Sequence, residues 1–335
     1  MRHDPAPRPT VDRGRYPDTV TPWEQEDWRS AVLDWVGDAL AARGLRTTGR
    51  PWVRLRPWSV LVRVAVAGHG AVWFKANPPA SGFEGALTAA LARWVPGRVL
   101  APLAVDTDRR WLLLPDGGEL FRDVLEREPL EPRAWEGLLG QYAALQHTVT
   151  AHTAEIGRLG VPGARTVELP DVFEALLGGN RALRPEDRAR LVRLRPRVAD
   201  WSAELAALGV ADSLDHADLH EGQLFHRAPD RFTFFDWGDA VVSHPFCSLR
   251  VPARKAADRY GLGVLPRLRD AYLEPWTGNG RSAAELRRAV SLAWRLSALG
   301  RARAWGRLFP AAAAATPLTG QSAASLLELL EEPPL

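Results

Sequence analysis

The sequence predicts an α+β chain in two lobes, a smaller antiparallel-sheet lobe followed by a larger, mainly helical one. Two observations lead there. From Val53 to Leu114 short β-branched and aromatic runs alternate with turn residues, whereas from Leu120 onward apolar residues recur at helical spacing. The two regimes meet at Pro115-Asp116-Gly117-Gly118, a connector rich in residues that break regular structure. A chain of 335 residues, 46% of them hydrophobic, is long enough to bury a core in each lobe. The expected division is residues 1–48 as an N-terminal arm and helical cap, 49–116 as the β-rich lobe and 117–335 as the helical lobe.

Taken in order, residues 1–20 read as a flexible arm. Between Trp23 and Arg43, Trp28, Val32, Trp35, Val36, Ala39 and Leu40 repeat with a helical period, and Gly44 is the stop. Residues 53–56, 60–66 and 71–76 read as three antiparallel strands. Pro57-Trp58-Ser59 joins the first two, and Gly68-His69-Gly70 joins the second and third. Pro78-Pro79 ends the third strand, a helix containing Glu84 follows over 82–94, and a further strand pair ends at Trp111–Leu114. Helices are then expected over 120–127, 132–148, 170–177, 185–208, 283–306 and 322–332. Pro185 is well placed in a first helical turn, where its missing N–H has no partner to lose. The alanine tract 311–315 reads as helical padding.

Composition narrows the class. One cysteine, Cys247, excludes an internal disulfide and makes the cytoplasm the expected compartment. No apolar run suggests a membrane span or a secretory leader. Forty basic-acidic pairs nearly cancel, leaving a net charge of +3, and no dense basic run marks a nucleic-acid partner. No required protein partner is evident. The bases are almost all arginine, with lysine only at positions 75 and 255. A lysine within the apolar run Val72-Trp73-Phe74-Lys75-Ala76 therefore stands out from the chain's habit.

The segment His216-Ala217-Asp218-Leu219-His220-Glu221-Gly222-Gln223 has the form H-x-D-x-x-x-x-Q. Eighteen residues after Asp218 comes Asp236, in Phe234-Phe235-Asp236-Trp237-Gly238-Asp239. Phosphoryl transfer from a nucleoside triphosphate needs one carboxylate to orient a hydroxyl, and an amide oxygen with a second carboxylate to hold magnesium. Asp218 fits the first role, and Gln223 and Asp236 fit the second. The interval suits a loop, a short hairpin turning at Ala228-Pro229-Asp230, and a metal-binding turn. Asp239, three residues past Asp236, reads as too far along the turn to be a third metal ligand.

Lys75 is expected to meet the α- and β-phosphates of ATP, oriented by Glu84 on the next helix. Its plain alternative is an edge-strand lysine. No glycine-rich loop covers the phosphates, and Ser59 stands at that turn with a hydroxyl or N–H to offer. Adenine is expected at the connector, on the carbonyls of Leu114 or Pro115 and the N–H of Asp116 or Gly117, with lobe closure hinging there. On the acceptor side the candidates are Asp239, Trp237, His216, Asp215 and Glu221. A metal-hydrolase alternative uses His216, Asp218 and His220 as ligands. Neither His69, His147, His152 nor His226 completes such a set by spacing, so His216 and His220 read as loop braces bonded to backbone carbonyls.

Through Lys75, Asp218, Gln223 and Asp236, the chain resembles the aminoglycoside phosphotransferase-like kinases, which include kinases for aminoglycosides, choline, homoserine and maltose. The resemblance runs from about Val53 to the C-terminal helices. Glutamine at 223 departs from that family's usual asparagine. With Phe234-Phe235-Asp236-Trp237-Gly238-Asp239 it is similar to a narrower group, the maltokinase-like glucosamine kinases of actinobacteria. That resemblance implies a two-lobed, protein-kinase-like fold with an N-terminal cap, ATP and Mg2+ as cofactors, and an amino sugar as partner, giving glucosamine 6-phosphate. An aminoglycoside or maltose-like sugar kinase is the enzymatic alternative, and a nucleotide-binding pseudokinase is the non-enzymatic one. A protein kinase is disfavoured because no A-P-E-like element or long Ser/Thr-bearing segment follows Asp236.

Overall fold

The structure, a computed structural model, describes residues 9–227, 230–278, 280–315 and 318–335. In chain order the elements are β1 (Thr10–Asp12), α1 (Glu26–Ala41), β2 (Thr47–Arg56), β3 (Ser59–Val66), β4 (Gly70–Ala76), α2 (Glu84–Trp94), β5 (Ala104–Asp106) and β6 (Trp111–Pro115). They continue with α3 (Phe121–Arg127), α4 (Arg133–Val149), α5 (Thr153–Arg158), β7 (Gly163–Ala164), α6 (Leu169–Gly179), α7 (Pro185–Val192), α8 (Arg195–Ala207) and β8 (Ser213–Asp215). Last come β9 (Leu224–Arg227), β10 (Arg231–Phe234), β11 (Val241–Ser243), α9 (Arg250–Tyr260), α10 (Leu265–Leu273), α11 (Ala283–Ala304), α12 (Pro310–Ala315) and α13 (Thr319–Leu327). Two units result. One holds Met1–Ala89, Leu100–Asp116 and Arg307–Pro317, and the other holds Ala90–Val99, Gly117–Gly306 and Leu318–Leu335.

The first unit is built on a six-stranded sheet of order β1-β2-β3-β4-β6-β5. β2, β3, β4, β6 and β5 pair antiparallel, so alternate residues face opposite sides. Val53, Leu55, Val60, Val62, Phe74, Trp111 and Leu113 line the buried face. Val32, Val36 and Leu40, one stripe of α1, pack into the same core, and Trp28 and Trp35 meet Phe74 and Trp111 edge-to-face at 5.7–6.3 Å. The 1–48 segment is thus no separate cap, because its apolar stripe is buried only against this sheet. α1 closes in a Schellman motif, with Gly44 at φ +69° and the Leu45 N–H bonded to the Leu40 carbonyl at 3.0 Å. The arm expected over 1–20 is also corrected where described. Thr10–Asp12 adds a parallel edge strand to β2, anchored by Arg56 on the Asp12 carboxylate at 3.0 Å.

In the second unit, β9 and β10 form the expected hairpin, Arg227 opposite Arg231 and Leu224 opposite Phe234. Ala228 and Pro229 of its turn lie outside the described residues. A three-stranded sheet, β7-β11-β8, was not legible in the sequence, and nor were α5, α9 and α10. The helix expected over 185–208 is two helices. Pro196 lacks an N–H and clashes with the carbonyl four residues back, so the helix restarts with it in the first turn of α8. α11 opens with a capping box, Ser282 Oγ accepting from the Glu285 N–H and Glu285 accepting from the Ser282 N–H.

Candidate active site

In the first unit, strand parity decides what accompanies Lys75. Phe74 faces the core, so Lys75 faces the other side of the sheet with Leu61 opposite it on β3 and Leu112 on β6. Ser59, two residues before Leu61, shares that face. Pro78, Pro79 and a 3-10 turn over Pro79–Ser81 then return the chain so that α2 begins at Glu84. The Lys75 ammonium lies 2.8 Å from Glu84 Oε1 and 2.6 Å from Oε2. Both residues are buried, at 7% and 1% exposure. Two ions removed from water cost more than a surface pair gains, so such a pair persists only with close, bidentate geometry. Here that geometry is met.

The turn between β2 and β3 is tethered instead of glycine-rich. The Phe309 N–H donates to the Pro57 carbonyl at 2.8 Å, and Tyr16 meets Trp58 edge-on at 5.1 Å. At the connector, β5 begins at Ala104, opposite Leu113, so its paired ladder on that side of β6 does not reach Leu114 and Pro115. Asp116 accepts from the Trp73 indole at 3.4 Å. Gly117, in the second unit, is fixed as glycine because a Cβ there would overlap the Phe225 ring.

The second unit assembles the acidic motif. The loop 216–223 runs from β8 to β9, and the turn 235–239 follows β10. His216 joins them. Its Nε2 lies 2.9 Å from the Phe235 carbonyl, an acceptor only, so Nε2 carries the proton. Its backbone N–H donates to the Tyr142 hydroxyl at 3.0 Å. Two non-glycine residues in the loop and turn hold left-handed backbone, Ala217 at φ +63° and Asp236 at φ +64°. Such conformations cost energy and persist where the surroundings impose them.

Asp218, Gln223, Asp236 and Asp239 come together. The Asp218 carboxyl is pushed up to about 7, first by burial, then by the charge of Asp239, with Asp236 adding to it. Arg301 and a hydrogen bond from Gln223 act the other way. Two fifths of the Asp218 side chain still meets solvent. Asp239 is closer in effect than the spacing suggested. Trp237–Asp239 is a 3-10 turn, in which residues three apart lie on one side. Arg301, from α11, had no sequence signal beyond a long amphipathic helix.

Three acceptor-side expectations are corrected. Trp237 is fully buried, its ring 4.8 Å from that of His216, so it is a packing residue. His216 is also fully buried and bonded to backbone. Asp215, 3% exposed, accepts from Ser248 Oγ at 2.5 Å, the Ala217 N–H at 2.9 Å and Ser243 Oγ at 3.3 Å, which uses its carboxylate to shape the loop. Glu221 is half-buried on the loop, 4.0 Å from Arg122. His220 accepts the Gly222 N–H on Nδ1 at 3.0 Å instead of bonding a carbonyl, and burial, aided by Arg122, lowers its pKa to about 4.

As a metal site the arrangement suits an ion that brings most of its own ligands. Among the described residues no three His, Cys, Asp or Glu side chains converge as a complete ligand set. Magnesium keeps several waters and takes one or two protein oxygens plus phosphate. The Gln223 amide gives its N–H to Asp218, which leaves its oxygen as a hard donor.

No family model matches the chain, and no curated protein matches it. Solved structures do. An ethanolamine kinase of Plasmodium vivax superposes with a TM-score of 0.61 at 13% identity, covering 90% of this chain and 88% of that one. A macrolide 2'-phosphotransferase from Brachybacterium faecium gives 0.56 at 19%, covering 89% and 98%. The GDP complex of aminoglycoside 2'-phosphotransferase-IIIa gives 0.54 at 14%, covering 88% and 97%. At these identities the likeness establishes the fold: an α+β, protein-kinase-like architecture with an N-terminal sheet and a helical C-terminal part.

Proposed function

We propose that this protein transfers the γ-phosphoryl group of ATP to a hydroxyl of a small molecule, with Mg2+, and that the acceptor is an amino sugar, glucosamine, phosphorylated at O6. The observation that carries the reading is the cluster of Asp218, Gln223, Asp236 and Asp239 on one loop and one turn. A raised carboxyl pKa, near the working pH, suits a group that orients and accepts a hydroxyl proton. The buried Lys75–Glu84 pair supports it, because the ammonium is held in one place for the nucleotide phosphates. Ser59 shares its face, and the Leu114–Gly117 backbone is the adenine candidate. The fold neighbours named as phosphotransferases and kinases agree with this chemistry.

Gln223 and Asp236 would hold magnesium, which when bound neutralises charge on the transferring phosphoryl group. Asp218 draws the acceptor hydroxyl toward reaction, and Gln223 fixes the Asp218 carboxylate through its amide N–H. Asp239 gives the acceptor an anionic neighbour, which suits an ammonium near the reacting hydroxyl. A charged hydrogen bond of about 1.5–3 kcal/mol would favour glucosamine over glucose by about ten- to a few-hundredfold in kcat/KM. The test is ATP consumption with glucosamine, N-acetylglucosamine, glucose, maltose and kanamycin as acceptors. Acceptor-dependent ADP release greatest with glucosamine supports the whole reading. Release greatest with glucose or maltose removes glucosamine and keeps the kinase. ADP release that no acceptor stimulates removes both.

A further inference from the structure

Beside the 216–223 loop, within the second unit, opens a cavity of about 310 Å3. Its charged wall is formed by Arg122 and Glu126 of α3, Glu221 of the loop, and Lys255, Asp258 and Arg259 of α9. The cavity is one imidazole away from Asp218. The Arg122 guanidinium lies 3.3 Å from His220 Nδ1, and His220 Nε2 lies 3.7 Å from the Asp218 carboxylate.

Three features of the wall indicate what it would take. First, three cations face three carboxylates, so donors and acceptors are both plentiful and the net charge is close to zero. A polycationic ligand gains nothing overall from such a wall, whereas a polyhydroxyl ligand finds a partner for each hydroxyl. Second, Lys255 is exposed and makes no hydrogen bond or ion pair among the described residues. In a chain that uses lysine at only two of its 43 basic positions, the other lysine is the buried one on β4. An ammonium is a compact charge with three rotatable donors, which can meet hydroxyl oxygens from several directions. Third, Trp135 of α4 belongs to the wall, is 1% exposed, and its buried Nε1 has no acceptor within the protein. A buried donor without an acceptor is costly, and a ligand hydroxyl would supply one. The volume is at the lower end of small-molecule pockets, about 300–1,000 Å3.

We infer that this cavity receives the hydroxyl-rich end of the acceptor, remote from the reacting oxygen, and that the acceptor is a saccharide bearing at most one positive charge. The inference rests on the phosphotransferase reading and adds to it the location of acceptor recognition and the exclusion of polycations. Lys255 and Glu221 are the specificity-determining residues.

The experiment compares Lys255→Met and Glu221→Gln with the wild-type full chain, using glucosamine, maltose and kanamycin. Steady-state kinetics are paired with direct calorimetric binding of each compound, and thermal melts verify folding. Lys255→Met, at an exposed helix position, is expected to fold, to raise the KM of the best saccharide by about ten- to a hundredfold, and to leave the KM for ATP unmoved. Unchanged saccharide KM in both variants overturns the cavity assignment while leaving the kinase reading intact. A higher kcat/KM for kanamycin than for either saccharide overturns the exclusion of polycations. If no compound is phosphorylated, the kinase reading fails and binding decides the rest. Saccharide binding weakened by Lys255→Met keeps the cavity as a saccharide site, and absence of saccharide binding to the wild type removes it.

Discussion

The Lys75–Glu84 pair and the Asp218 cluster solve opposite electrostatic problems. In the first, one cation and one anion are buried together at 2.6–2.8 Å, and each is neutralised by the other. In the second, the charges of Asp239 and Asp236 act against ionisation of Asp218, while Arg301 acts the other way. The paired ions are complete once the chain has folded. The carboxylates around Asp218 raise its cost of ionisation, which a divalent cation, a proton or an ammonium would lower. Folding therefore sustains the first region, whereas ligands are what the second region is arranged to meet. Substitutions in the two regions should then move stability in opposite directions.

The largest effect is expected on turnover. Asp218→Asn should lower acceptor phosphorylation by roughly 10²–10⁴-fold, with nucleotide affinity nearly unchanged, since the residue acts on the acceptor hydroxyl. Parallel measurement of kcat and ATP Kd checks this, and an unaltered kcat removes Asp218 from the chemistry. Next comes the buried pair. Lys75→Met should cost about 3–5 kcal/mol in denaturant unfolding, because it leaves the Glu84 carboxylate buried without its cation. Lys75→Met combined with Glu84→Leu should recover most of that loss while nucleotide binding stays weak. A single variant as stable as the wild type would show that the two charges do not depend on each other.

The third expectation has the reverse sign. Asp218 binds its proton more tightly folded than unfolded, with a pKa of about 7 against an ordinary 3.8. Between those values the folded state holds more protons, so this group's contribution to stability is complete below pH 4 and is lost as pH rises through 7. Asp218→Asn does not titrate. In metal-free buffer its stability relative to the wild type should therefore grow from pH 4 to 7 and then level off. A difference that is flat with pH would mean the carboxylates do not crowd. The smallest effect is expected at Gln223. Gln223→Asn keeps the amide oxygen and changes only its reach, so magnesium dependence should shift by a few-fold at most. Gln223→Leu removes the oxygen and should raise the magnesium requirement much further.

How far each region was legible in the sequence follows the same division. Lys75 stood out because it interrupts an apolar strand in a chain of arginines, and Glu84 followed as the acid of the next helix. The strand order from 53 to 114 was readable because alternation and turn residues are local signals. The 216–239 motif gave its loop, hairpin and turn by spacing alone. Three things could not be read. The effect of Asp239 on Asp218 was not read because a sequence does not distinguish an open turn from a 3-10 turn. Asp215 and Trp237 were taken for acceptor contacts because burial depends on β8, β11 and α9, which carry little periodic signal. α1 was read as a cap because only the folded sheet shows where its tryptophans go.

The central claim is most directly tested by phosphorus NMR of wild-type protein incubated with ATP, Mg2+ and glucosamine. Loss of the γ-phosphate resonance and growth of a phosphomonoester resonance split by two methylene protons are expected, with neither change in Asp218→Asn. Inorganic phosphate as the sole new product, or an identical ester from Asp218→Asn at the wild-type rate, would contradict it.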